Sequence, residues 1–447
     1  MDAARVPAPG SRIAVVGSGI AGLASAWLLA DRYHVTLFEA GSYFGGHSNT
    51  VDVALEGKTH PVDTGFLVHN DLTYPNLIAL FELLGVPVHQ SDMSFGVSID
   101  EPDIEWAGTN LATVFAQKSN LVRPAFLSML RDILRFNKAA ETHLREVEQN
   151  PATLGELLAR HSYGKPMQDW YLLPMAAAIW SSSVKDILGF PAQTFLKFCL
   201  NHRLLQIEGR PQWRTVLGGS REYVKAMLPK IQVTHLHCPV HAVKRDLAKV
   251  QGAIEIHSAA GVEPFDGVVM ACHAPKSCAM LDLQDDERAV LGGIRYQPNT
   301  AVLHTDANLL PRRRKVWSAW NYLSEGAQQA GQSSGQAVGI ARPVAVSYLI
   351  NKLQPLPFKT PVVVTLNSFK APDPESVIAH FEYDHPVMDT TLIEAQRQLP
   401  SIQGQRRTWF CGAWCGYGFH EDGLRSAIAV ANDFGVPIPW GKDLYGN

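Results

Sequence analysis

Three glycines and one acid near the start of the chain have the spacing of a nucleotide site. Gly17, Gly19 and Gly22 form a G-x-G-x-x-G motif, and Glu39 follows soon after. The first glycine permits a tight turn, the second allows a pyrophosphate close to the backbone, and the third lets a helix pack on a strand. A carboxylate about 20 residues further on can accept hydrogen bonds from a ribose. These residue types therefore predict a dinucleotide site.

The segments around the glycines are those that such a site requires. The apolar run 13–16 is typical of a buried parallel strand, and apolar residues at helical spacing follow from Ile20 to Leu28. The N-terminus of that helix would direct free N–H groups and a partial positive charge at phosphates. A second apolar run, 35–38, places Glu39 at the end of the next strand. The pattern predicts a strand–helix–strand unit with its acid in place.

A second glycine-rich loop follows this unit. In a nicotinamide-only enzyme, the chain usually continues at this point into another helix and strand. Gly45 and Gly46 come shortly after Glu39, and 64–66 is a further short motif, Thr-Gly-Phe. A glycine pair here indicates a loop that passes close to a larger cofactor. Near the far end, 408–413 predicts a last strand that runs into a glycine turn.

With these motifs, the chain resembles the flavin amine oxidase and phytoene desaturase superfamily of FAD proteins. The resemblance implies an α/β fold in which a Rossmann-like FAD-binding domain is intertwined with an α+β substrate domain of the amine oxidase type. The FAD-binding domain would comprise 1–75, 212–295 and 402–447, and the substrate domain 76–211 and 296–401. Since no cysteine or histidine stands out as a covalent link, the FAD is expected to be non-covalent.

The resemblance also implies the residues that contact the cofactor. His47 stands where the family usually has an arginine, and the backbone N–H groups of Gly423 and Leu424 would face the flavin at the start of a final helix, expected from about Ala427 to Asn432. The expected cofactor residues are Gly17, Gly19, Ile20, Ala21, Gly22, Glu39, Ala40, Gly45, Gly46, His47, Thr64, Gly65, Phe66, Val240, Gly412, Gly423 and Leu424. His420 and Glu421 would lie beside the flavin ring, so either is a candidate acid or base, against a role in ordering the loop.

The intervening segments predict the substrate half. Helical periodicity over 121–148 and a strongly apolar run over 170–180 indicate either a helical core or one wall of a long apolar channel. In the superfamily, strand-like runs such as those between 300 and 366 form a mixed sheet over the flavin. The candidate substrate contacts are Trp180, Trp317, Trp320 and Tyr322.

Four shorter motifs narrow the resemblance. They are Gly-Gly-His at 45–47, Pro-Met-Ala-Ala-Ala-Ile-Trp-Ser at 174–181, Ser-Ala-Trp-Asn-Tyr at 318–322 and Gly-Phe-His-Glu-Asp-Gly-Leu at 418–424. They resemble a subgroup that contains bacterial flavoproteins and the oxidase-like N-terminal domain of plant cyclopropane fatty acid synthases. The resemblance implies an FAD-dependent oxidoreductase, a desaturase or oxidase that moves hydride from unsaturated, cyclopropane or methyl-branched fatty acyl chains of lipids to flavin N5.

Three alternatives stay open at the level of sequence. The first is an amine oxidase that acts on a small amine, which would need an aromatic cage. The second is a redox-neutral double-bond isomerase of fatty acids. The third is a non-catalytic flavoprotein partner of a lipid methyltransferase of the cyclopropane synthase type.

Composition excludes several other classes. The net charge of −3 over 447 residues argues against nucleic acid as the main partner. The six cysteines show no C-x-x-C spacing and there is no H-E-x-x-H, so reduced thiols in the cytoplasm and no metal site are expected. No leader or membrane span is predicted. The basic cluster 312–315 is a candidate for peripheral contact with anionic lipid at the inner membrane face, at about 1 kcal/mol per charge.

Overall fold

The computed structural model describes residues 6–180, 187–206, 209–249, 251–325 and 344–445. None of the helices within these residues is both long and apolar enough to cross a membrane. The α-helices are α1 (Ile20–Leu29), α2 (Pro75–Leu84), α3 (Leu111–Val114), α4 (Pro124–Gln149), α5 (Leu154–Arg160), α6 (Lys165–Met167), α7 (Leu173–Trp180), α8 (Ala192–Asn201), α9 (Arg221–Met227), α10 (Ala274–Met280), α11 (Asp285–Leu291), α12 (Ile350–Leu353), α13 (Thr390–Gln398) and α14 (His420–Asp433).

The β-strands form several sheets, of which two carry the architecture. The strands are β1 (Arg12–Val16), β2 (His34–Phe38), β3 (Thr50–Leu55), β4 (Lys58–Asp63), β5 (His69–Asn70), β6 (Val88–Ser91), β7 (Phe95–Ile99), β8 (Ile104–Ala107), β9 (Trp213–Val216), β10 (Val233–His235), β11 (Val240–Arg245), β12 (Ile254–Ser258), β13 (Gly261–Phe265), β14 (Gly267–Met270), β15 (Tyr296–Gln297), β16 (Thr300–His304), β17 (Trp320–Ser324), β18 (Val344–Leu349), β19 (Val363–Leu366), β20 (Val377–Glu382), β21 (His385–Pro386) and β22 (Thr408–Phe410).

The first main sheet is parallel and has the order β10-β2-β1-β14-β22. Its central strand β1 is buried from Ile13 to Val16, as expected for a strand covered on both faces. Helix α1 is buried along its whole length and packs on α14. Gly22 permits the close packing of α1 on the turn, because a Cβ there would lie 1.9 Å from the Gly17 carbonyl oxygen. The predicted strand–helix–strand unit is therefore present.

The second main sheet has seven strands in the order β20-β16-β19-β18-β17-β7-β8. Neighbouring strands are antiparallel except β17 and β7, which run parallel. The large core cluster under this sheet also takes in the buried faces of α4, α7 and α8. The helical segments and strand-like runs predicted for the substrate half are therefore found. The limits of the two predicted domains stay a prediction.

The last helix begins earlier than the sequence suggested. It was expected from about Ala427, whereas α14 starts at His420. The Asp422 carboxylate accepts a 3.0 Å hydrogen bond from the Phe419 N–H and so closes the first turn. Gly423 lies inside the helix, and a Cβ there would come within 2.8 Å of Ile20 Cγ2. This glycine is thus a packing residue between α14 and α1, not part of a turn.

Candidate active site

A cavity of about 780 Å³ lies at the carboxyl edge of the parallel sheet and extends to the seven-stranded sheet. Ligands bind at this edge in open α/β sheets because helix N-termini and loops converge there. All but three of the predicted cofactor residues line the cavity: Gly17, Gly19, Ile20, Ala21, Glu39, Ala40, Gly45, Gly46, His47, Thr64, Gly65, Phe66, Val240 and Gly412. The roles assigned to them in sequence stay predictions, but the fold brings them together.

Two glycine loops form one end of the cavity. A Cβ at Gly19 would have no heavy atom within 4 Å, so this position opens into free space. Gly46 lies directly against it, since a Cβ at Gly46 would be 3.1 Å from the Gly19 Cα. The N–H of Gly45 donates to the Ser18 carbonyl at 3.1 Å and joins the loops. The result is a backbone cradle at the N-terminus of α1 that fits a pyrophosphate.

Glu39 is held at the edge of this cradle. Its Oε2 accepts a 3.0 Å hydrogen bond from the Ser18 N–H, and its Oε1 accepts a 2.7 Å bond from the Gly41 N–H. The carboxylate is thereby fixed beside the glycine turn. This is where an acid must lie to accept hydrogen bonds from a ribose.

Three predicted cofactor residues do not reach the cavity. Gly22 packs within the turn, as described above. The N–H of Gly423 donates to the Phe419 carbonyl at 3.0 Å, and Leu424 is buried inside α14. Because α14 begins at His420, the N–H groups without a helical acceptor belong to its first turn. The structure thus places Gly423 and Leu424 after the free N–H groups of this helix, and their predicted contact with the cofactor stays a prediction.

His420 lines the cavity and is tightly fixed. Its ring stacks on Phe66 with centroids 3.7 Å apart, and its Nε2 lies 2.9 Å from Ser48 Oγ. Burial, and then the nearby His47 and His69, lower the pKa of His420 well below its ordinary value. The imidazole is consequently uncharged at neutral pH.

Glu421 is not brought to the cavity. Its Oε1 accepts hydrogen bonds from the Asn76 N–H at 3.0 Å and from Asn76 Nδ2 at 2.7 Å, and its Oε2 accepts one from the Leu77 N–H at 3.0 Å. Burial raises the pKa of Glu421 to about 7, against the effect of these bonds. The Glu421 side chain therefore caps the N-terminus of α2. It does not lie at the cavity, as the acid–base role predicted from its position next to His420 in the sequence would require.

The four predicted substrate residues separate into two pairs. Trp180 and Trp320 line the cavity, whereas Trp317 and Tyr322 do not. Trp317 Nε1 donates to the Pro311 carbonyl at 2.7 Å, and the Arg314 guanidinium lies over its ring. Tyr322 is buried in the core. Of the residues of β17, only the first, Trp320, lines the cavity. The expectation of substrate contact for Trp317 and Tyr322 is therefore wrong.

A group of histidines and aromatic residues in the cavity wall was not predicted. The His47 ring lies 5.4 Å from that of His385 and 5.0 Å from that of Tyr383, measured between centroids. His273 stacks on Tyr296 at 4.3 Å. The signal that could have revealed part of this group is the Tyr-Asp-His-Pro run that follows β20.

Burial keeps these imidazoles uncharged. It lowers the pKa of His47 and of His273 to about 4 and that of His385 to about 3. Asp384 lies 3.6 Å from His273 and opposes this shift without reversing it. The wall is therefore rich in neutral imidazoles. His385 Nδ1 accepts a 3.1 Å hydrogen bond from Asn299 Nδ2, whereas His47 Nε2 has no hydrogen-bond partner among the described residues.

Three buried polar atoms in the wall have no hydrogen-bond partner among the described residues: His47 Nε2, Trp320 Nε1 and Trp414 Nε1. Buried donors and acceptors are normally paired, since each unpaired group costs about 1–3 kcal/mol. A ligand with polar edges would satisfy them. Together with the open backbone cradle at Gly19, this observation fits a large dinucleotide cofactor in the cavity.

Comparisons with known proteins agree with this architecture. Residues 15–84 match the family model described as an NAD(P)-binding Rossmann-like domain. Carotenoid phi-ring synthase from Streptomyces griseus is 32% identical over 166 residues, which cover 33% of this chain and 31% of that protein. The match thus spans about a third of the curated relative's length.

Solved structures match over nearly the whole chain. A CLA-producing fatty acid isomerase from P. acnes has a TM-score of 0.64 at 14% identity, with 95% of this chain and 98% of that chain covered. Cyclohexylamine oxidase from Brevibacterium oxydans IH-35A also has a TM-score of 0.64 at 14% identity, with 96% and 100% covered. The predicted α/β fold of the amine oxidase type is confirmed.

Proposed function

We propose that this protein is an FAD-dependent oxidoreductase whose substrate is a fatty acyl chain of a lipid. The observation that carries the proposal is a single cavity with two chemically different ends. One end is the backbone cradle at Gly19 with Glu39 beside it, and the other is lined by aromatic and aliphatic side chains. Such a cavity suits a dinucleotide that meets an apolar substrate.

The nucleotide end would hold FAD without a covalent bond. The N–H groups at the start of α1 and the Gly45–Gly46 loop would receive the pyrophosphate, and Glu39 the ribose. When bound, the flavin supplies a hydride acceptor, while the protein contributes position and electrostatics.

The opposite end favours an uncharged substrate. The lining residues contributed by α7 and by β17–β19 carry no charge: Ile179, Trp180, Trp320, Tyr348 and Leu366. Met93 and Trp213 extend the same apolar surface. Since each buried methylene gains about 0.8 kcal/mol, a hydrocarbon chain would bind here mainly by leaving water.

The neutral histidines suit the proton that must accompany hydride loss. Formation of a carbon–carbon double bond removes a hydride from one carbon and a proton from its neighbour. The uncharged imidazole of His47, whose Nε2 has no hydrogen-bond partner among the described residues, can accept that proton. A cationic arginine or lysine at this position could not.

One aromatic pair at the apolar end of the cavity counts against the small-amine alternative. An amine cage needs two ring faces that enclose the cation or its neutral amine. Trp320 and Tyr348 instead meet edge to face, with an angle of 83° between their planes and centroids 4.9 Å apart. They leave no slot between parallel faces, so oxidation of an amine is the less favoured reading.

Isomerisation of a fatty acid double bond is the second candidate. It would use the same apolar end and would return the hydride to the same chain. The likeness in fold to a fatty acid isomerase supports it, as does a wall that can hold and return a proton. The two candidates differ in product, because desaturation changes the oxidation state of the chain and isomerisation does not.

The test is anaerobic titration of the purified yellow protein, first with unsaturated or methyl-branched acyl lipids and then with amines. We expect the flavin absorbance to bleach with acyl lipids only and a new double bond to appear in the product. A shifted double bond without lasting bleaching would identify the isomerase. Bleaching by amines alone would contradict the proposal, and turnover that requires an added lipid methyltransferase would identify the partner role.

A further inference from the structure

A cluster of exposed aliphatic side chains covers the segment that contains α3, the following turn and the first half of α4. We call this surface the 111–138 face. Its members are the aliphatic residues with large exposed fractions, namely Leu111 (77%), Leu121 (53%), Val122 (81%), Leu127 (44%) and Leu134 (56%). Single exposed leucines are ordinary on a surface, but five large exposed aliphatic side chains within one short segment indicate an interaction site.

Cations are interleaved with these side chains. On α4, Leu127, Arg131, Leu134 and Lys138 are all exposed and recur at steps of four, three and four residues. That spacing places them on one stripe of the helix, in which leucine and cation alternate. The opposite side of α4 is buried in the core through Phe126 and other apolar residues.

The 111–138 face has no exposed carboxylate of its own. Asp132 is the one acid in this stretch of sequence, and its side chain is buried. It accepts a 3.0 Å hydrogen bond from the Gly164 N–H and lies 3.4 Å from Arg135. Lys118 and Arg123 add further cations beside the exposed Leu121 and Val122.

The basic cluster 312–315 adjoins this face but is largely neutralised. Arg123 donates to the Asp103 carbonyl at 2.7 Å, and the Asp103 carboxylate pairs with Arg312. Arg313 is paired with the buried Glu105 at 2.6 Å. Attraction to anionic head groups, expected from 312–315 in the sequence, is therefore better supplied by the cations of the 111–138 face.

We infer that the 111–138 face docks on the surface of an anionic lipid bilayer. The aliphatic side chains enter the interfacial layer, and the lysine and arginine side chains extend along them so that their charged ends reach the phosphates. A second copy of the chain is a poor occupant, because a symmetric contact would bring the same cations together without acids. An acyl chain delivered from the bilayer would suit the proposed substrate, although docking does not depend on that proposal.

The experiment is co-sedimentation of the full-length protein with vesicles. Vesicles of phosphatidylcholine alone are compared with vesicles that also contain phosphatidylglycerol, at low and at high salt. We expect binding to the mixed vesicles at low salt and a marked loss at high salt, because the electrostatic part is screened. Absence of binding to the anionic vesicles would overturn the proposal.

Variants assign the binding to this surface. The pair Leu127→Ser and Leu134→Ser should lower the partition coefficient by at least about tenfold, since two side chains lose their transfer into the interface. Lys118→Glu with Lys138→Glu should abolish the preference for phosphatidylglycerol, and Arg131 is kept because its guanidinium lies 3.7 Å from the buried Asp132 carboxylate. The control Leu83→Ser alters an equally exposed leucine elsewhere and should bind as the parent does.

Two further readouts keep the outcome decisive. Thermal unfolding and flavin content should match those of the parent in every variant, since all the changed side chains are exposed. Sedimentation velocity without vesicles should give the same species for parent and variants. A dimer that dissociates in the leucine variants would show that a second copy covers this face and would overturn the membrane assignment.

Discussion

The Glu421 carboxylate accepts a hydrogen bond from the Leu77 N–H at 3.0 Å across 344 positions of sequence. Helix α2 has Pro75 in its first turn and no side-chain cap of its own. An acid at a helix N-terminus pairs with orphan N–H groups and with the positive end of the helix dipole. The final helix therefore completes the first turn of a helix near the start of the chain.

Glu421→Ala should accordingly destabilise the fold more than it affects the chemistry. We expect a loss of about 1–3 kcal/mol in the free energy of unfolding, because the Asn76 and Leu77 N–H groups lose a charged acceptor. Denaturant unfolding of the purified variant measures this. A variant of parental stability that has lost turnover would instead return Glu421 to a catalytic role.

Gly19→Val should remove the cofactor and leave the fold intact. The new side chain meets no protein atom near its Cβ and projects into the cradle, so it excludes a pyrophosphate without straining the backbone. Flavin content after purification and far-UV circular dichroism measure the two effects. Gly108→Val, at an exposed loop glycine, is the control. Parental flavin content in the Gly19 variant would contradict the site.

Glu39→Ala should weaken FAD binding by about tenfold, the value of one charge-assisted hydrogen bond to a ribose. Equilibrium titration of the apoprotein with FAD measures the dissociation constant. Glu39→Gln keeps one acceptor for Ser18 or Gly41 and should fall between the variant and the parent. Equal dissociation constants for the parent, Glu39→Ala and Glu39→Gln would count against a contact between Glu39 and the ribose.

Trp320→Ala should lower kcat/KM for an acyl substrate by about tenfold or more, since a large part of the apolar wall is removed. Trp317→Ala is the matched control, because Trp317 is a nearby tryptophan that does not line the cavity. Both variants should retain flavin. Equal losses in the two variants would show that the cavity end at β17 does not hold the substrate.

Stability should fall as the pH is lowered from 7 towards 5. Histidines such as His47 and His385 have pKa values in the folded state far below the ordinary 6.5. Their contribution to the stability of the folded state is therefore complete above pH 6.5. It is lost as the pH falls towards the folded-state pKa, because the unfolded chain binds these protons first. Asp63 and Asp422, with pKa raised to about 6, and Glu421, with pKa raised to about 7, act in the opposite sense.

The histidines should prevail in this balance, since more of them are shifted: His47, His69, His202, His273, His304, His385 and His420. The thermal unfolding midpoint at pH 7 and at pH 5 tests the sign. His47→Asn with His385→Asn should flatten the dependence. A midpoint that rises on acidification would show that the buried carboxyl groups dominate.

The nucleotide half was predictable because its constraints are local. Gly17 has φ +103°, which favours glycine, and there is no room for a Cβ at Gly22. The G-x-G-x-x-G motif therefore indicates both positions directly in the sequence. The start of α14 was missed because Gly423 looks the same in sequence whether it makes a turn or packs against Ile20. Local patterns cannot separate those two uses.

The rest of the site depends on contacts between distant segments. Trp317 and Trp320 lie close together in sequence, but Trp317 precedes β17 and donates to the Pro311 carbonyl, whereas Trp320 begins β17 and lines the cavity. His47 meets Tyr383 and His385 because two loops far apart in the chain converge over the sheet. The Tyr-Asp-His-Pro run marks one of these loops, but no local pattern encodes its meeting with His47.

The strand order of the parallel sheet bears on how the protein is made in the cell. Central strand β1 leaves the ribosome first, yet its neighbour β14 begins at Gly267, and the outer strand β22 begins at Thr408. The early strands must wait until Phe410 has been synthesised before the sheet can close. Folds dominated by such long-range pairings form slowly. The cofactor would consequently be loaded only after β22 has been synthesised and has paired with β14.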